Sequence, residues 1–124
     1  MKVITLGEIL LRLSTAEDVR LKSTKEFRVG YGGAEANVGI SLSHFGHSVA
    51  TVLPQDNPLN DAVSSRLRMN GINTDLVATE YGRLGTYFLE QGNSIRASRV
   101  TYDRLYSSIS VLDNLCWDLN EIFI

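Results

Sequence analysis

The order of apolar and polar positions divides the chain into two kinds of segment. Lys2 to Leu6 is short and β-branched and ends at Gly7, which predicts a buried first strand. From Glu8 to Val29 the pattern turns to alternation, with Ile9, Leu11 and Leu13 on one face and Leu10, Arg12 and Ser14 on the other. Phe27 and Val29 resume it after the polar stretch from Ser14 to Glu26, so a hairpin-like excursion of two half-exposed strands is expected.

Gly30-Tyr31-Gly32-Gly33 then opens a helical segment with Ala34, Val38, Leu42 and Phe45 on one stripe and Asn37, Ser41 and His44 on another, ended by Gly46. Val49 to Leu53 predicts a second buried strand, stopped by Pro54. Asn57 suits an N-cap and Pro58 the first helical position, and Leu59, Val63 and Leu67 form the buried stripe of a second helix that closes at Asn70-Gly71. Ile72 to Ala78 supplies a third strand. Strand, helix, strand, helix, strand gives two crossover units and a parallel sheet.

After Gly82 alternation returns. Gly85, Tyr87 and Leu89 share one face, a turn follows near Gly92-Asn93, and Val100, Tyr102 and Arg104 share a face of the next strand. Leu112, Leu115, Cys116, Leu119 and Ile122 form one more amphipathic pattern before Ile122-Phe123-Ile124, which resembles the start of a buried strand. Such an ending suggests a piece of a longer domain, because a terminal carboxylate must be solvated.

Composition narrows the classes of function. The chain has 124 residues, 44% hydrophobic and 21% charged, with a net charge of -2. These values fit one globular domain and provide no basic field for the phosphates of a nucleic acid. Its apolar runs are too short to span a bilayer, and the N-terminus has no secretory pattern, so a cytoplasmic location is expected. The one cysteine, Cys116, excludes an internal disulfide. Residues 83–104 carry four arginines against Glu90 and Asp103, a local excess suited to a small anion.

Several motifs carry nothing. Glu35 stands where a dinucleotide fingerprint needs its third glycine, and no Gly-Lys pair exists for a phosphate loop. His44 and His47 lack a ligand pattern around them, so no metal site is expected. Met69 and Trp117 read as packing residues. Gly32-Gly33 before a helix is more informative, since free backbone N–H groups there meet a ligand and glycine permits its close approach. Asn37, one turn on, projects toward the same mouth.

Tyr31-Gly32-Gly33-Ala34-Glu35-Ala36-Asn37-Val38, with Leu42 and Gly46, resembles the N-terminal signature of the ribokinase-like (PfkB) sugar kinases. Gly7-Glu8-Ile9-Leu10-Leu11-Arg12-Leu13, Gly85-Thr86-Tyr87, and Arg99 to Arg104 with Ser107-Ser108 are similar to its 2-keto-3-deoxygluconate kinase branch. The resemblance implies an α/β fold, the N-terminal part of a doubly wound sheet with a β-sheet lid. The lid strands would occupy about 8–29 and 84–104, and the α/β core about 2–7, 30–80 and 110–124.

It also implies phosphoryl transfer from ATP, with Mg, to the 6-hydroxyl of a small sugar acid. Gly33, Asn37, Tyr87, Tyr102 and Arg104 would bind that substrate, with Glu8 and Gly32 beside the pocket. Asn60 stands where the family commonly has glycine; asparagine tolerates the left-handed region better than most residues, so the turn either absorbs the change or is strained. The family's Gly-Ala-Gly-Asp motif, with the catalytic aspartate and phosphate-cradling glycines, has no counterpart, and the last glycine is Gly92. No catalytic residue and no cofactor site is therefore expected in these residues. The alternatives are a standalone sugar-binding module without catalysis, or a remnant that self-associates. A homo-oligomer through the lid or an exposed sheet surface is expected.

Overall fold

The computed structural model describes residues 3–42, 48–113 and 116–122. Strands β1 (Ile4–Leu6), β4 (Ser48–Pro54) and β5 (Val77–Glu80) form a parallel sheet in the order β1-β4-β5. Helix α1 (Ala34–Ser41) links β1 to β4 by way of the first excursion, and α2 (Leu59–Met69) links β4 to β5. The excursions, β2 (Leu10–Ser14) with β3 (Arg28–Gly32) and β6 (Thr86–Glu90) with β7 (Arg99–Asp103), build a second sheet in the order β3-β2-β6-β7. Its outer pairs are antiparallel and its central pair, β2 and β6, is parallel.

The core lies where α2 packs on the parallel sheet. Val49, Leu53, Val63, Leu67 and Ile72 are buried together with Ile9 and Leu84, so the two sheets share one cluster. β4 is central and buried along its whole length, as a near-continuous apolar run demands. Its Pro54 ends the strand from within rather than stopping it beforehand. Asn57 caps α2, its Oδ1 accepting the Leu59 N–H at 2.9 Å, while Pro58 already holds helical angles. At the other end Gly71 and Ile72 donate to the carbonyls of Arg68 and Leu67.

Several expectations need correction. The first strand is not buried: Leu6 is 53% exposed, because β1 pairs only with β4 among the described strands. The third strand begins at Val77 rather than Ile72, since Asn73 Oδ1 accepts the Asp75 N–H and turns the chain first. Gly30 to Gly32 belong to β3, so the first excursion runs to residue 32 and the helix starts only at Ala34. Val38, expected on the buried stripe of α1, is 48% exposed. The expected helix end at Gly46, with His44, Phe45 and His47, lies outside the described residues.

Among the described residues after 110, the expected amphipathic pattern gives little helix. The segment forms a single turn, α3 (Leu119–Ile122), with Leu119 exposed. The Trp117 indole N–H donates to the Leu76 carbonyl at 3.0 Å and fixes the segment beside β5. Leu115, Phe123 and Ile124 lie outside the described residues. Asn60 is not strained: it is helical, its side-chain amide donates to the Pro54 carbonyl at 2.6 Å, and the positive φ of this loop falls on Asp56. Among the described residues no helix is long and apolar enough to cross a membrane.

Candidate functional site

The register of the second sheet decides which side chains meet. Leu10 and Arg12 of β2, Tyr87 and Leu89 of β6, and Val100 and Tyr102 of β7 fall on one face, because paired residues of neighbouring strands point the same way. That face looks across a cleft of about 780 Å³ toward the start of α1 and the segment after β7. Gly33, Asn37, Tyr87, Tyr102, Arg104 and Glu8 all line it. Four separate stretches of sequence are thus brought to one cavity.

Gly33 occupies its position because nothing larger fits. A Cβ there would stand 2.4 Å from the Glu8 carbonyl oxygen, so the chain entering α1 passes directly over the chain leaving β1. The Gly33 carbonyl accepts the Asn37 N–H at 3.0 Å in the first turn of α1. Asn37 is exposed at the mouth with both a donor and an acceptor available.

The aromatic wall is a pair of tyrosines. The rings of Tyr87 and Tyr102 lie 5.9 Å apart and tilted, and the Arg104 guanidinium sits 5.3 Å from the centre of the Tyr102 ring. Arg104 also faces Glu8, Nη1 to Oε1 3.7 Å, with its side chain 57% exposed. At this distance and exposure the pair is weak. Such a guanidinium can exchange Glu8 for an incoming carboxylate.

Asp103 and Glu90, the other acids near Arg104 in sequence, are engaged elsewhere. Arg83 holds Asp103 with two hydrogen bonds at 2.8 and 3.1 Å, and Arg96 pairs with Glu90 at 3.3 Å. The Arg83 hydrogen bond holds the Asp103 carboxyl below the usual range, and the Asp103 partner raises Arg83 above its own.

Gly32 does not reach the cleft. It faces a smaller neighbouring cavity, where a Cβ would stand 2.8 Å from the Tyr87 hydroxyl oxygen. Besides the expected residues, the strand residues Leu10, Leu89 and Val100 and the later Ser107, Ile109 and Ser110 line the main cleft. Ser107, almost fully buried, donates to Glu8 Oε2, and Ile109 and Ser110 close the far side. Arg12 was legible as an alternating partner of Leu10, but which strands flank β2 was not.

No family model matches the chain. A 2-dehydro-3-deoxygalactonokinase of Haloferax volcanii is 33% identical over 97% of the chain and 39% of its own length. The crystal structure of a 2-dehydro-3-deoxygluconokinase from Thermotoga maritima superposes with a TM-score of 0.82 and 50% identity, over 90% of this chain and 35% of that one. A PfkB family carbohydrate kinase from Listeria grayi superposes with a TM-score of 0.89 and 40% identity, over 98% of this chain and 38% of that one. The chain therefore spans less than two fifths of the length of each of these relatives.

Proposed function

From the premise that the chain is a homologue of PfkB-type sugar kinases of the 2-keto-3-deoxygluconate and deoxygalactonate kind, we propose that it recognises a sugar acid for such a kinase. Gly33 and Asn37 hold sugar hydroxyls through backbone and side chain. Tyr87 and Tyr102 cover the apolar face of the sugar, and Arg104 takes the carboxylate in a bidentate fork. Glu8 holds Arg104 in the absence of that carboxylate. The observation that supports this most is the convergence of Glu8, Gly33, Asn37, Tyr87, Tyr102 and Arg104 on a single cleft.

In the whole protein the reaction is transfer of a phosphoryl group from ATP, with magnesium, to the 6-hydroxyl of a 2-keto-3-deoxy sugar acid. The residues described here do not fit the donor side. The sequence has no Gly-Lys or Gly-Asp pair, and among the described residues no three His, Cys, Asp or Glu are grouped to hold a metal. The contribution of this part is positioning, which holds the acceptor hydroxyl and excludes water around the sugar. Self-association of the chain through exposed apolar side chains of its two sheets belongs to the same reading.

Tyrosine fluorescence tests the proposed cleft. Saturable quenching by 2-keto-3-deoxygluconate that disappears in Asn37→Ala is the expected result. A titration that is linear, or unchanged in the variant, contradicts it.

A further inference from the structure

Beside Tyr87, between β2, β3 and the helices α1 and α2, lies a second cavity of about 140 Å³, lined among others by Arg12, Tyr31, Asn37, Arg66 and Tyr87. At about 30 Å³ per water it holds a few waters or one small oxyanion. Two features of its chemistry are unusual. Arg12 Nε is buried with no hydrogen-bond partner, and among the described residues neither Arg12 nor Arg66 stands within ion-pair distance of a carboxylate. With that N–H shut off from water and unpartnered, the charge of Arg12 is met by solvent or a ligand only through the part of the guanidinium that lines the cavity.

The surrounding backbone is shaped to this side chain. Arg12 pairs in register with Gly30 on one side and Tyr87 on the other. A Cβ at Gly30 would stand 2.5 Å from Arg12 Nη2, so only glycine lets the guanidinium lie across β3. The position of the charge is thereby fixed beside the cavity, which Arg66 of α2 also lines.

We propose that Arg12 and Arg66 form an anion subsite, distinct from Arg104, that takes one carboxylate- or phosphate-sized oxyanion group. Asn37 and Tyr87 line both cavities and connect the subsite to the main cleft. The anion is either a free ion or an acidic group of a ligand seated in that cleft. The proposal stands on the unpaired arginines and is independent of which sugar the cleft accepts.

The test is calorimetric titration of the chain with sodium phosphate against sodium chloride at matched ionic strength. Saturable one-to-one binding of phosphate is expected, weakened at least about tenfold in Arg12→Gln and in Gly30→Ala, which displaces the guanidinium without removing its charge. Arg68→Gln, an equal charge change on the same helix, should leave it unaltered. Arg66→Gln, at an exposed helix position, keeps the test decisive if the strand variants fail to fold. Repeating the titration with 2-keto-3-deoxygluconate present assigns the source: independent binding identifies a free ion and leaves the sugar's one carboxylate to Arg104, competition places that carboxylate on Arg12 and Arg66 in place of Arg104, and either supports the anion site. Heats equal to those of chloride, or unchanged affinity in folded Arg12→Gln and Arg66→Gln, overturn it.

Discussion

Ser107 donates a hydrogen bond to the Glu8 carboxylate across 99 positions of sequence, joining the segment after β7 to the end of β1. The contact has a consequence for Arg104, which faces the other oxygen of the same carboxylate. Glu8 is thus held from one side while it restrains the arginine from the other. Ser107→Ala should loosen Glu8 and leave a part-buried acceptor unpaired, costing about 1–3 kcal/mol of stability. Denaturant unfolding of the pair of proteins measures it.

Gly33→Ala should be far more damaging than its one added methyl suggests. The new Cβ meets a backbone carbonyl, which cannot swing aside as a side chain could. Overpacking of this kind costs about 1–3 kcal/mol, and the displacement of α1 from β1 should carry Asn37 away from the cleft. A melting temperature lowered together with sugar affinity is the expected result. Gly92→Ala, away from the cleft, should lower stability alone.

The Arg83–Asp103 pair predicts an acid-side effect. Because the Asp103 carboxyl titrates below its ordinary 3.8, its contribution is fully present above that value and fades as pH falls toward the lowered one. The melting-temperature difference between the protein and Arg83→Gln should therefore be constant near neutrality and shrink below about pH 4. The pair is exposed, so the difference should be small. A difference that grows on acidification contradicts the assignment.

Leu6, Val29, Val38 and Leu119 are exposed. The chain should accordingly self-associate at tens of micromolar protein, roughly where uncovered apolar surface acts. Sedimentation velocity reads this directly, and a single monomeric boundary across that range contradicts it.

The sequence shows the two excursions, the central strand and the second helix because each carries a local signal: alternation, a continuous apolar run, or a cap followed by a stripe. Gly30 and Gly32 carry a misleading local signal. Adjacent glycines before a helix suggest a turn, yet both lie in β3, and the reasons are the side chains of Arg12 and Tyr87 that cross them. Val38 carries a helix stripe that leads to no burial. Ser107 and the second cavity depend on contacts between distant segments, and no periodicity encodes those. The resemblance implies Gly33, Asn37, Tyr87, Tyr102 and Arg104 together, whereas their meeting in one cleft depends on the strand register and on where α1 and the segment after β7 lie against it.

If the cleft takes a sugar acid, Arg104 is the residue that reads its carboxylate. Calorimetric titration of the chain with 2-keto-3-deoxygluconate and with a neutral hexose, each against the protein and Arg104→Ala, tests it most directly. Saturable binding of the acid is expected, weakened by about 1.5–3 kcal/mol in the variant as a charged hydrogen bond is lost, with any binding of the neutral sugar unchanged. Equal affinity for acid and neutral sugar, or an acid affinity untouched by Arg104→Ala, would contradict it.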